Sequence, residues 1–340
     1  MAYNFVIGSF LVRNLDMSKL ICLMPTYNKE ATLAKAIESV LMQKTDFDFK
    51  LIILDDCSTD NSYKIAQEYK EKFPTKIEIV RNKTNLKLLR TIMYGYKLLK
   101  GADYFCVLDA DDWYISDKKF ANAVEFLDSH LDYTIYMTNV LLKTSNGERP
   151  LKEDAPSEVS FNFKDRKDGK AFFIQTSGVV YRNIYFKNGQ NKDFENILNY
   201  DFPESYRADG FRYEWYLYSG KAYFKNSIEA VYNYDENGIW SSMSECEQIL
   251  HNAKIMYACA QFIKDEEKYY LHQAKKMFKI AILNMKNSNY TPSNETMELI
   301  AKLTMCLTFP INPVCSNILK TLIKFIPNKK LRQKLRKELI

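Results

Sequence analysis

The sequence predicts an α/β fold: a Rossmann-like, mainly parallel central sheet followed by a C-terminal helical region. Three observations carry this expectation. Short apolar runs alternate with helical patterns over the first 140 residues, an order that produces parallel strands covered on both faces. Three of those runs end in polar clusters, PTYN, DDCSTD and DADD, and ligands of such sheets sit outside the carboxyl ends of the strands. From about residue 245 the pattern is helical to the end, with no glycine after Gly238.

Each element has its own signal. LICLMPTY (20–27) reads as a strand, and in 29–44 Leu33, Ala36, Ile37, Val40 and Leu41 share one helical face. FKLIILDD (49–56) is the second strand. Asp60 then opens a helix that runs to about Phe73, because its carboxylate can accept from free N–H groups of the first turn. KIEIVRN (76–82) is the third strand, followed by a helix from about Leu86 to Lys100. YFCVLD (104–109) is the fourth, followed by a helix from about Asp117 to His130 and the strand 133–140. Between 141 and 240 the periodicity weakens into hairpin-like segments: an Asn-Gly pair at 146–147, a strand over 171–182 and another over 221–234.

Composition excludes several classes. A chain of 340 residues, 46% hydrophobic and 26% charged, can bury a substantial core and is not wholly disordered. The seven cysteines form no CxxC pair and the three histidines are scattered, which argues against a zinc site or a disulfide framework and fits a reducing cytosol. No run of about 18 apolar residues offers a spanning helix. Residues 1–17 read as an N-terminal extension without the features of a signal peptide, and Met17 is an alternative start. The basic character is concentrated at the far end. Residues 320–340 hold eight Lys/Arg against Glu338, a net of +7, so the rest of the +6 chain sums to −1.

Three carboxylates within four residues, Asp109, Asp111 and Asp112, repel one another and need open solvent or a cation among them. The ordinary structural reading is a solvated loop with Asp112 capping a turn. The functional reading is that Asp109 and Asp111 straddle a divalent cation and a ribose. Hard oxygen ligands without an adjacent His or Cys suit Mg2+ or Mn2+ rather than a softer metal. In DDCSTD, Asp60 or Ser58 can cap a helix, which leaves Asp55 and Asp56 to be explained. A carboxylate at the crevice can accept from a pyrimidine or a ribose hydroxyl, and Tyr27 could stack on a base or pack in the core.

Together these stretches resemble the nucleotide-sugar half of a family 2 glycosyltransferase of GT-A fold, whose pattern is roughly PxYN, then DDxSxD, then DxD in a DADD context. The resemblance covers about residues 18–240. It implies a nucleotide-sugar half over 18–140, an acceptor half over 141–240 and a separate helical region over 241–340. In 202–242 it puts Asp209 at the catalytic-base position, with Gly220-Lys221 downstream and Tyr232 and Trp240 in the closing loop. Ala208 replaces the usual acidic neighbour, Asn233 an arginine and Asp235 a histidine. Asp235 is either an added metal ligand or a surface residue of a DENG turn.

The resemblance implies inverting transfer from a nucleotide sugar, with a UDP-sugar the expected donor. The nucleotide-sugar residues are then Pro25, Tyr27, Asp56, Lys87, Asp109 and Asp111, with Mn2+ or Mg2+ held by Asp111 and Asp109. Asp209 is the general base, a role typically worth roughly 10²–10⁴ in rate. Lys87 either contacts the donor or is merely solvated, and Thr176, Ser177 and Trp240 fall on the acceptor side. The acceptor is expected to be a glycan, lipid-linked in surface-polysaccharide, lipooligosaccharide or glycoprotein-glycan synthesis. Two rivals are a nucleotidyltransferase, which would want an early glycine-rich phosphate loop that is not present, and an inactive glycan- or membrane-binding protein of the same fold.

Residues 318–340 carry an apolar stripe with Lys and Arg on the other faces, the pattern of an interfacial helix drawn to anionic lipid. A solvated basic helix or an RNA-binding tail would share that composition. The expected location is cytoplasmic and peripheral on the inner face of the membrane, with no nucleic-acid partner.

Overall fold

A computed structural model describes residues 18–189, 208–236, 238, 240–287, 292–307 and 333. The N-terminal extension 1–17, and all of the basic tail 318–340 except Gln333, lie outside the described residues. No helix among the described residues is long and apolar enough to cross a membrane.

The parallel half follows the alternation read from the sequence. Strands β1 (Leu20–Thr26), β2 (Phe49–Asp55), β3 (Ile77–Arg81) and β4 (Tyr104–Val107) pair in parallel in the order β3-β2-β1-β4. All seven residues of β1 are buried, as continuous apolar runs covered on both faces require. The covering helices are α1 (Leu33–Leu41), α2 (Ser62–Lys72), α3 (Lys87–Tyr96) and α4 (Lys119–Ser129). In α3, Gly95 allows the closest approach: a Cβ there would lie 2.5 Å from the Leu54 side chain.

Beyond β4 the sheet turns mixed. β9 (Val179–Arg182) is antiparallel to both β4 and β6 (Tyr133–Thr144), and β6 is parallel to β10 (Lys221–Asn233). The expected hairpin at 146–147 joins β6 to β7 (Gly147–Pro150). The short strands β5 (Trp113–Tyr114) and β8 (Glu158–Phe161) both pair antiparallel with β10.

Two expectations are corrected. The segment 171–182 is a strand only from Val179. The Gln175 side chain accepts from the Ser177 N–H and closes a 3-10 turn over Thr176–Gly178. The helix expected from residue 29 starts at Leu33: Asn28 has φ 52°, and the backbone N–H groups of residues 28–30 are tied to side chains at Ser58, Ser62 and Asp60. In the β2–α2 loop Asp60 accepts from Ser62 N at 2.9 Å, but the N-cap position of α2 is Asn61, whose side chain makes no capping bond.

A short helix α5 (Phe163–Lys167) and helix α6 (Ala208–Ser219) connect the sheet to α7 (Glu245–Phe262), α8 (Glu267–Asn287) and α9 (Asn294–Leu307). These C-terminal helices share one hydrophobic cluster with the sheet. On α6, Trp215 stacks on Phe262 of α7 and Glu214 accepts from Tyr270 of α8 at 3.1 Å.

Candidate active site

The carboxyl ends of β1, β2 and β4 open on one cleft of about 880 Å3, and the three polar clusters meet there. Pro25, Tyr27, Asp56, Lys87, Asp109 and Asp111 all line it. A second lobe of about 520 Å3 is lined by Asp209, Thr176 and Arg212, among others. The two lobes share Leu88, Asp109, Tyr232 and Trp240 as a common wall. Asp111 therefore lies in one lobe and Asp209, in the first turn of α6, in the other.

The DADD turn divides its three carboxylates between structure and chemistry. Asp112 is buried, and its carboxylate accepts from Gln175 Nε2 at 2.7 Å and from Asn233 N at 3.0 Å. Burial, with Asp111 and Asp109 beside it, pushes its pKa well above the usual carboxylate range. Asp109 lies where the lobes meet. Its pKa is raised to about 7 by burial first and then by Asp111 and Asp209, with Arg212 and Lys29 pulling the other way. Asp111 accepts from Lys29 Nζ at 2.6 Å.

Lys29 is a functional candidate that the sequence reading missed. Its ammonium is held charged more firmly than usual. Burial lowers its pKa, and Asp111, Asp109 and Asp235 together more than reverse that. No three His, Cys, Asp or Glu side chains among the described residues converge as a complete metal cage. Mg2+ and Mn2+ sites on nucleotide enzymes commonly need no such cage, because one or two carboxylates and the substrate phosphates complete the shell. The hard oxygens of Asp111 and Asp109, with an ammonium seated on Asp111 as a stand-in cation, fit a hard divalent cation.

At the second cluster the two aspartates have different duties. Asp55 pairs with Arg81 of β3 at 3.1 Å. Asp56 accepts from Asn82 Nδ2, Leu86 N and Lys87 N at 2.7–2.9 Å, and so shapes the start of α3, where Lys87 has φ 69°. Tyr27 is 44% exposed on the cleft wall and is not part of the core.

Other expected residues separate. Thr176 lines the second lobe, but Ser177 is fully buried and its hydroxyl donates to Gln175 Oε1, so Ser177 does not reach the acceptor side. Gly220 packs against Asp132 and Thr134, and Lys221 pairs with Asp132 at 2.8 Å, so this dipeptide starts β10 rather than the site. Asp235 is exposed in a turn closed by Gly238 N, yet it borders the first lobe. The C-terminal helices also reach that lobe, through Glu247, His251 and Lys254 of α7 and Thr296 and Lys302 of α9. Thr296 Oγ1 donates to Glu247 at 2.6 Å and ties the two helices together there.

This geometry agrees with what the chain resembles. The model for "Glycosyl transferase family 2" matches residues 21–201, more than half of the chain. The chain belongs to glycosyl transferase family 2. Among curated relatives, the putative glycosyltransferase EpsE of Bacillus subtilis is 34% identical over 131 residues, 38% of this chain and 46% of EpsE. The poly(ribitol-phosphate) β-N-acetylglucosaminyltransferase TarS of Staphylococcus aureus is 28% identical over 180 residues, 51% of this chain and 29% of TarS. The matched stretch thus spans about half the length of EpsE and less of TarS. The crystal structure of TarS 1–349 with UDP superposes with a TM-score of 0.59 at 15% identity, covering 94% of this chain and 88% of that one. The mannosyltransferase PcManGT of Pyrobaculum calidifontis, solved with GDP-Man and Mn2+, gives 0.51 at 12% identity over 95% and 85%. At these identities the likeness is one of fold, and the fold is GT-A.

Proposed function

We propose that this family 2 glycosyltransferase moves a sugar, with inversion, from a nucleotide-sugar donor to a hydroxyl of a surface-glycan acceptor. The observation that carries the reading is the two-lobed cleft, with Asp111 in one lobe, Asp209 in the other and Asp109 in the wall between them. Donor in the first lobe and acceptor in the second would meet across that wall in line for displacement.

In this reading Tyr27 stacks on the base, while Asp56 holds the α3 start that borders it. Asp111 and Asp109 are the residues that would hold Mn2+ or Mg2+, and that cation when bound supplies Lewis-acid neutralisation of the diphosphate. Asp209 accepts the proton of the attacking hydroxyl. The acceptor oxygen forms its bond to the anomeric carbon as the bond to the diphosphate oxygen breaks, and the nucleoside diphosphate leaves with that electron pair. A UDP-sugar donor is supported by the UDP bound to the TarS fold, and a polymeric surface acceptor by the name of that relative, which acts on poly(ribitol-phosphate). Docking of residues 318–340 on an anionic membrane face would bring the cleft to a lipid-linked acceptor.

The test is thermal unfolding with UDP-, GDP-, CDP- and dTDP-sugars, each with Mn2+ and again with EDTA. A ligand at 100 times its Kd stabilises the folded state by about 2.7 kcal/mol. The expected result is a rise in Tm with one donor class, lost in EDTA. No rise with any nucleotide sugar would remove the transferase mechanism.

A further inference from the structure

Lys29 and Asp111 are 82 positions apart in sequence and are brought together by two separate ties. The first clasps the chain after β1 to the β2–α2 loop. Asn28 has φ 52°, its N–H donates to Ser58 Oγ at 3.1 Å, and its side chain accepts from Thr59 N at 2.8 Å. Lys29 N then donates to Ser62 Oγ at 2.7 Å, and Glu30 N to Asp60 at 3.0 Å. The second tie runs from Thr32 Oγ1 to the carbonyl of Ala110 at 2.9 Å and fixes the DADD turn against the same segment. The backbone of Lys29 is thus mounted rigidly beside Asp111. Its four-carbon stem remains the adjustable part, ending in a compact charge with three donors.

The ion pair it makes is about one-third exposed on the Lys29 side and less on the Asp111 side. Pairs of that kind are weak and exchange partners at little cost. Both residues line the donor lobe. A divalent cation offsets only part of the charge that a nucleoside diphosphate gathers as it leaves, and a lysine is a well-suited second point charge for phosphate oxygens.

We propose that Lys29 serves Asp111 and the leaving diphosphate by turns. Paired with Asp111 in the structure, its ammonium moves to the diphosphate oxygens on donor binding. Asp111 is thereby released to the divalent cation, and the neutralisation of the leaving group is completed. This rests on the assignment of Asp111 to the donor's cation, and it adds a catalytic residue to that site. It also predicts opposite effects of one substitution on two ligands, which a lysine that only buttressed the loop would not produce.

The experiment uses the full chain and two probes that need neither the sugar nor the base. Mn2+ alone is titrated by electron paramagnetic resonance, and inorganic pyrophosphate is titrated calorimetrically at saturating Mn2+. In Lys29→Met, Mn2+ alone is expected to bind up to about fivefold tighter, because its competitor for Asp111 is gone. Pyrophosphate is expected to bind about 10- to 100-fold more weakly, the effect of losing one charge-assisted hydrogen bond. Lys29→Arg retains the charge and is expected to keep most of the pyrophosphate affinity, which covers the case in which the methionine variant folds poorly. Wild-type binding of Mn2+ with no opposite response in Lys29→Met overturns the role of Lys29 and leaves the cation site standing. Failure of Mn2+ to bind wild type, alone or with pyrophosphate, overturns both.

Discussion

The Asp112 carboxylate accepts the backbone N–H of Asn233 at 3.0 Å, joining the turn after β4 to the end of β10. Gln175 donates to the other oxygen of the same carboxylate, so the loop that precedes β9 hangs on it as well. One buried side chain thereby fixes three segments that border the two lobes. Asp112→Ala would leave two part-buried donors without this acceptor, at a cost near the low end of about 1–3 kcal/mol each. Urea denaturation should show a lowered midpoint with unchanged slope. Turnover should fall with it, because Tyr232, next to Asn233, forms part of the wall between the lobes.

Asp209 and Asp111 should fail in different ways. Asp209 lines only the second lobe, so Asp209→Asn is expected to leave nucleotide binding intact and lower turnover by roughly 10²–10⁴. Asp111→Asn should abolish the Mn2+-dependent rise in Tm with nucleotide. Loss of nucleotide binding in Asp209→Asn would count against a division of labour between the lobes.

How much of this could be read from the sequence depends on how local the cause is. The parallel half was legible because β1, β2 and β4 are continuous apolar runs that lead into polar clusters, and their topology puts those ends together. The turn at Thr176–Gly178 was not, since it depends on where the Gln175 side chain points within a stretch of strand-like composition. The two-residue strand β5 has no periodicity to detect. Lys29 reads as one more solvated lysine until its partner arrives from 82 positions away. The capping box of Ser244 and Glu247 marks the start of α7, but nothing local tells that Glu247 then holds Thr296 at the rim of the first lobe.

Asp56 is where motif and structure assign different first duties. The resemblance gives it to the nucleotide, yet three donors from 82–87 already converge on its carboxylate. Asp56→Ala should therefore destabilise the protein by about 1–3 kcal/mol as well as weaken nucleotide binding. Hydrogen exchange should be faster at Leu86 and Lys87, whose N–H groups lose their acceptor. Weakened nucleotide binding with unchanged exchange at these two amides would return Asp56 to the nucleotide alone.

Glu214 offers a test of how firmly the helical region is built onto the transferase fold. It is buried on α6, pairs with Arg166 of α5 at 2.7 Å and accepts from Tyr270 of α8 at 3.1 Å. Burial alone would lower the pKa of Arg166, but the Glu214 carboxylate more than offsets it, and the guanidinium stays charged. Removing one partner of a buried pair leaves the other uncompensated and typically costs about 3–5 kcal/mol; with Arg166 partly exposed, the low end applies to Glu214→Ala. Because α6 also begins with Asp209, the loss should be felt at the site. Donor-dependent stabilisation should persist while turnover falls, and calorimetry should show one transition moved down rather than a split into two. A split would mean that α7–α9 fold apart from the sheet, and that the shared hydrophobic cluster is an interface between two cooperative units.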